Sequence, residues 1–134
     1  MQFSSEFDRY KYMAEDGVSY AQNILGFIYE EGLDVAKDLD AAFSWYTLSA
    51  EQGLAKAEFN LALCYKMAKG CKRDYSKAIE LFTLASKQEH NRSFYHLGDM
   101  YEKGLGVVID IQKAKKYYEK AAYHGYKPAY EKLT

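Results

Sequence analysis

The sequence predicts an all-α fold, an α-solenoid in which antiparallel helix pairs stack in a row, and three observations carry that expectation. The first is a constant step: Leu25, Leu61, Leu97 and Leu133 stand 36 residues apart, as do Tyr29, Tyr65 and Tyr101, and Ala42, Ala78 and Ala114. A period of this length marks a stacked repeat array. The second is that the apolar residues inside each period recur at spacings of three and four, which gathers them on one face of an α-helix. The third is punctuation. Asp38, Asp74 and Asp110 stand where a carboxylate can accept from the free amides that open a helix. Gly17, Gly53 and Gly125 stand where a left-handed residue closes one, and Glu89 takes the remaining copy of that place.

The elements follow in chain order. Residues 3–17 form a helix and its closing glycine, with Phe7, Tyr10, Met13 and Ala14 on one face. These residues sit one period ahead of Phe43, Tyr46, Ser49 and Ala50, so the segment reads as the second helix of an incomplete leading repeat that caps the stack. Residues 18–53 are the first full repeat. Its first helix, over 19–31, carries Ala21, Leu25, Ile28 and Tyr29 as a buried stripe, and Gly26 admits a close neighbour. Gly32 breaks that helix, Asp38 caps the next, and the helix over 39–52 buries Ala42, Phe43, Tyr46 and Ala50. Trp45, next to Tyr46, packs in the core or against the outer wall.

Residues 54–89 keep the code at Ala57, Leu61, Tyr65, Ala78, Phe82 and Leu84. Ala68 replaces the first turn glycine, so Gly70 is expected to become the permissive position. Glu89 predicts either a rearranged inter-repeat turn or a non-glycine residue at positive φ. Residues 90–125 are the cleanest copy, and residues 126–134 begin another first helix with Pro128 in its first turn, where a missing amide does no harm. The place held by Phe7, Phe43 and Ile79 becomes Lys115, as on a face with no full repeat to cover it. Residues 1–134 thus read as a single repeat domain.

Composition narrows the function classes. The chain of 134 residues is 49% hydrophobic and 28% charged with a net charge of −1, so no global field draws it to nucleic acid or an anionic membrane. No apolar run approaches the roughly 20 residues that span a bilayer. The N-terminal stretch carries Glu6, Asp8, Arg9 and Lys11 and does not read as a secretory signal, which predicts a cytoplasmic protein. Cys64 and Cys71 are expected to be free thiols, and the three histidines and two cysteines form none of the close pairs that hold zinc. No cofactor motif occurs either: Gly104-Leu105-Gly106 is a turn before Asp110, not a phosphate-binding loop.

The segment from Phe94 to Gly125, FYHLGDMYEKGLGVVIDIQKAKKYYEKAAYHG, carries a family resemblance. Its Leu-Gly, the tyrosine three residues on, Gly-x-Gly-Val, the aspartate, Lys-Ala, Tyr-Tyr and the closing Ala-Ala-x-x-Gly resemble the Sel-one-like repeat, a relative of the tetratricopeptide repeat. The resemblance extends over almost the whole chain; Asp34, Ala68 and Glu89 depart from its turn glycines. It implies a right-handed superhelical array whose first helices line a concave face. Solvent-facing positions there are expected to be Tyr20, Asn23, Phe27 and Glu30; then Lys56, Phe59, Leu63 and Lys66; then Arg92, Tyr95, Asp99 and Glu102. Glu30 with Glu31 reads as part of a solvated face. Aromatic groups beside Arg, Lys and Asn have the make-up of a hot-spot surface.

The favoured function is therefore a non-catalytic module that binds a peptide or partner protein on that face, as an adaptor or scaffold, or as an immunity protein that neutralises a toxin. The competing class is a small hydrolase. Cysteine-rich relatives of the family are associated with β-lactam hydrolysis, but their paired cysteines in every repeat are not reproduced by Cys64 and Cys71. Ser93, His96 and Asp99 stand three residues apart on one helix, a spacing that rarely converges as a catalytic triad does. The exposed terminal helices offer a surface for end-to-end dimerisation.

Overall fold

Side-chain caps open four of the helices, and a left-handed residue at or just past the end closes all but the last. The computed structural model describes residues 2–134 and contains α1 (Glu6–Glu15), α2 (Ser19–Glu31), α3 (Leu39–Glu51), α4 (Ala55–Met67), α5 (Tyr75–Lys87), α6 (Asn91–Lys103), α7 (Ile111–Tyr123) and α8 (Pro128–Glu131). Among the described residues all regular structure is helical. Asp38, Asp74 and Asp110 lie at the N-caps of α3, α5 and α7, and each carboxylate accepts from the amide three residues on at 3.0 Å. The pairs α2·α3, α4·α5 and α6·α7 are antiparallel: Ser19 at the start of α2 meets Ser49 near the end of α3, with their hydroxyls 3.0 Å apart.

Packing runs chiefly between consecutive helices, so the core is a chain of clusters rather than one centre. Ala14, Ala21 and Leu25 join α1 to α2, with Trp45 of α3 against them. Ala42, Tyr46, Leu61 and Cys64 join α3 to α4. Phe59, Ala62, Phe82, Leu97 and Met100 join α4, α5 and α6. Phe94, Ala121 and Ala129 seat α8. The equivalent residues Leu25, Leu61 and Leu97 are all buried, as a stack of like units requires. Leu84 departs from its expected place in the code and lies exposed, as does its equivalent Leu48.

Gly26 and Gly98 are sites of close approach, since a Cβ on either would lie 2.7 Å from the ring of Tyr46 or Tyr118. Those tyrosines in turn donate to Glu30 and Glu102 at 2.6 and 2.8 Å. In the middle repeat all three members change together to Ala62, Phe82 and Lys66, so a ring without a hydroxyl faces a methyl group and its carboxylate partner is gone.

The turns correct two expectations. Gly70 does not take over from Ala68: both positions are left-handed in every repeat, and Ala68 itself closes α4 at φ +55°. Asp34 and Glu89 likewise hold φ of +61° and +63°, so the second of the two outcomes expected at Glu89 is the one found. The leading helix also begins later than expected, at Glu6, with the Ser5 hydroxyl accepting from the Asp8 amide. Gln2 stands where an aspartate cap would be, and Asp34 explains the rest. At its equivalent, Gly70, a Cβ would sit 2.2 Å from the Leu39 carbonyl oxygen. A residue with a Cβ there cannot receive the first turn of the preceding helix, and a depression of about 400 Å³ beside Phe7, Leu33 and Asp34 lies in its place.

Candidate protein-binding face

The first helices of the three pairs, α2, α4 and α6, supply the twelve positions expected to face solvent, and the structure divides them. Tyr20, Phe27, Lys56 and Arg92 are exposed, Phe27 by 47% and Tyr20 by 55%. Glu30, Leu63, Lys66, Tyr95 and Glu102 are half-buried. Asn23, Phe59 and Asp99 are buried, contrary to expectation, and the cause in each case is a side chain of the neighbouring repeat.

Asn23 on α2 accepts from the Asn60 amide on α4 at 2.9 Å. Phe59, only 2% exposed, packs against Phe82 of α5 and the imidazoles of His90 and His96, and the Arg92 guanidinium lies 4.8 Å from its ring centre. It is a core residue. Asp99 is held between Lys66 of α4 and Lys103 of its own helix, at 2.9 Å from each. Burial works to raise the Asp99 carboxyl pKa, but the two ammonium groups hold it below the usual range. Glu30 is not a freely solvated carboxylate either. Lys69 approaches it at 2.6 Å, and although burial opposes ionisation, Lys69 and the Tyr46 hydroxyl keep its pKa low. Leu63 lies against the core around Phe82, and Tyr95 touches the rings of His96, Tyr118 and Tyr126.

What stays open is a depression of about 380 Å³ that spans the three first helices. Asn23 and Phe27 of α2 form one side, Lys56, Phe59 and Asn60 of α4 the floor, and His90 and Arg92 the other side. Asn60 and His90 lie outside the expected set. Asn60 directly follows Phe59, and its signal was a second amide on the next first helix, within reach of Asn23. His90 is the N-cap residue of α6 and is brought in by the turn. Its imidazole pKa is lowered to about 4, by burial first and then by the positive charges of Arg92 and Lys56.

Ser93, His96 and Asp99 do not form a relay. Ser93 is fully buried and its hydroxyl pairs with His90 at 3.0 Å. The His96 Nδ1 faces the Lys66 ammonium at 3.0 Å, and the ring stacks on Phe82. Burial, then Lys66, lowers its pKa to about 3, so the imidazole is neutral. Both cysteines are free thiols, with the Cys71 thiol 3.5 Å from the Cys64 carbonyl oxygen. Burial pushes the Cys64 thiol up to about 12, which leaves it protonated and inert.

Comparison with known proteins places these features among relatives. The Sel1 repeat model matches residues 19–54, 55–90 and 95–126. Those matched segments coincide with the three helix pairs to within a few residues. The crystal structure of a Sel1 repeat protein from Oxalobacter formigenes is similar at 34% identity and a TM-score of 0.83, over 87% of this chain and 48% of that one. So is that of a protective antigen present in uropathogenic Escherichia coli strains displaying an SLR fold, at 34% identity and a TM-score of 0.89, over 92% of this chain and 27% of that one. The chain thus spans about half the length of the first and about a quarter of the second. No curated protein matches it. Among the described residues no helix is long and apolar enough to cross a membrane.

Proposed function

The chain belongs to the Sel1 repeat family, in general a protein-interaction fold, and from that premise we propose that it binds a peptide or partner protein across α2, α4 and α6, as an adaptor or scaffold. The observation that supports this reading most is the set of exposed side chains on those helices. Tyr20 and Phe27 are large apolar groups left in water on α2, whose other apolar residues are at least half packed, and Lys56 and Arg92 line the same depression as Phe27. A stack of helix pairs curves, so its first helices line a concave surface on which such groups act as anchors within a charged rim. Tyr95, Leu63 and Lys66 contribute through the parts of their side chains that remain accessible. Asn23 borders the open depression, Phe59 forms part of its floor, and Asp99 acts indirectly by holding Lys66.

The test separates binding from folding. Phe27→Ala and Tyr20→Ala remove exposed groups and are expected to leave the unfolding free energy in urea within about 0.5 kcal/mol of the parent while abolishing partner recovery in a pull-down from the native host. Phe59→Ala is expected to cost about 3 to 5 kcal/mol of stability, as loss of a buried aromatic does. Full partner recovery by the Phe27 and Tyr20 variants would overturn the assignment of this face.

A further inference from the structure

The depression over α4 differs in charge from four others on the surface. Each of those contains a glutamate, Glu6, Glu102 or Glu119, whereas this one holds two cations and no carboxylate. That is notable on a chain with 18 basic and 19 acidic residues. Lys56 and Arg92 are exposed, and neither makes an ion pair among the described residues, where most other buried or half-buried charges on these helices are paired. Arg92 is positioned by the Phe59 ring beneath it, and a guanidinium held in this way keeps N–H groups available for a carboxylate. Asn23 accepts from Asn60, and its own amide N–H groups meet no acceptor among the described residues, which adds neutral donors on the α2 side. Phe27 completes the rim with an apolar surface.

We infer that the occupant of this depression is an acidic peptide segment, with a carboxylate side chain between Lys56 and Arg92 and a neighbouring apolar side chain against Phe27. This names the chemistry of the partner for the face described above and so rests on that reading. Charge complementarity decides the class: two unpaired cations attract a carboxylate and repel a basic segment. A long polyanion is disfavoured because the chain as a whole is slightly negative.

The experiment is a selection of random twelve-residue peptides displayed on phage, run in parallel on the parent chain, on Lys56→Glu, on Arg92→Gln and on Phe27→Ala, with each variant checked by thermal melting. Lys56 touches no packed ring, so its variant stays informative even if loss of the Arg92 stack loosens the fold. Peptides enriched on the parent are expected to carry Glu or Asp beside an apolar residue. Their affinity is expected to fall roughly three- to tenfold on Arg92→Gln and further on Lys56→Glu, and to weaken with added salt. Enriched peptides without an acidic bias, or with the same bias on Lys56→Glu, would overturn the acidic assignment. If such neutral peptides are still lost on Phe27→Ala, the binding face stands without it. If the parent enriches no peptide, both the face and its chemistry fall.

Discussion

At position 68 an alanine occupies a backbone conformation that its equivalents fill with glycine, φ +55° against +70° at Gly32 and +71° at Gly104. A Cβ in the left-handed region costs about 1 to 2 kcal/mol, partly offset by the lower unfolded-state entropy of alanine. Ala68→Gly is therefore expected to stabilise the protein by about 0.5 to 1 kcal/mol in urea unfolding. Glu89→Gly relieves the same strain but removes the carboxylate that the His124 Nε2 meets at 2.9 Å, so its gain should be smaller. A loss of stability in Ala68→Gly would show that the turn is not strained. The backbone code was legible here because each turn position repeats. Burial at one position was not. Asn23, Phe59 and Tyr95 share a place in the repeat, yet the first is buried in an amide pair, the second is core and the third is half-buried. Their surroundings are set by Asn60, by Phe82 with two histidines, and by Tyr118 with Tyr126, none of which the period alone predicts.

At the scale of the element, α6 contributes a sensitivity to pH. His96 is enclosed by Phe82 of α5, Phe59 and Lys66 of α4, and Tyr95, Asp99 and Arg92 of its own helix, while His90 at the N-cap faces Phe59, Arg92 and Lys56. Burial and the nearby cations outweigh Asp99 and keep both imidazoles neutral. The unfolded chain takes up a proton on each near the ordinary value of 6.5, whereas the folded chain resists until about pH 4 for His90 and about pH 3 for His96. Their contribution to stability is thus complete above pH 6.5 and is lost as the pH falls through that window, with a slope approaching about 1.4 kcal/mol per pH unit for each. Urea midpoints measured between pH 7 and pH 5, before most carboxylates titrate, should fall steadily, and His96→Gln should flatten the fall by about half. An unchanged slope in that variant would place the effect elsewhere. The period places His96 on α6 but says nothing of its burial, because its cover comes from Phe82 of α5 and from Phe59 and Lys66 of α4.

At the scale of the whole molecule, packing between consecutive helices makes the stability of one repeat depend on its neighbours alone. The two ends differ. The leading helix is cut short and closed off by Asp34, whereas beyond α7 the four-residue α8 covers little, and Val108, Ile109 and Ile111 remain exposed. That order was readable from the change of Phe7, Phe43 and Ile79 to Lys115, whereas the shortened first turn was not, because it depends on a Cβ one layer away. In this chain on its own, amide hydrogen exchange should be slowest in α4 and α5, the middle pair with a full helix pair on each side, and fastest in α8. The aspartate caps test whether the array is linear. Removing Asp110 costs about 1 kcal/mol and acts at the open end, so Asp110→Ala should speed exchange in α7 and α8 while leaving α2 and α3 unchanged. Asp74→Ala removes an equal cap from the centre, where α5 holds both α4 and α6, and should speed exchange on both sides of it. Equal loss of protection throughout the chain from Asp110→Ala would mean that the protein unfolds as one indivisible unit, and that its repeats are alike in shape without being separable in energy.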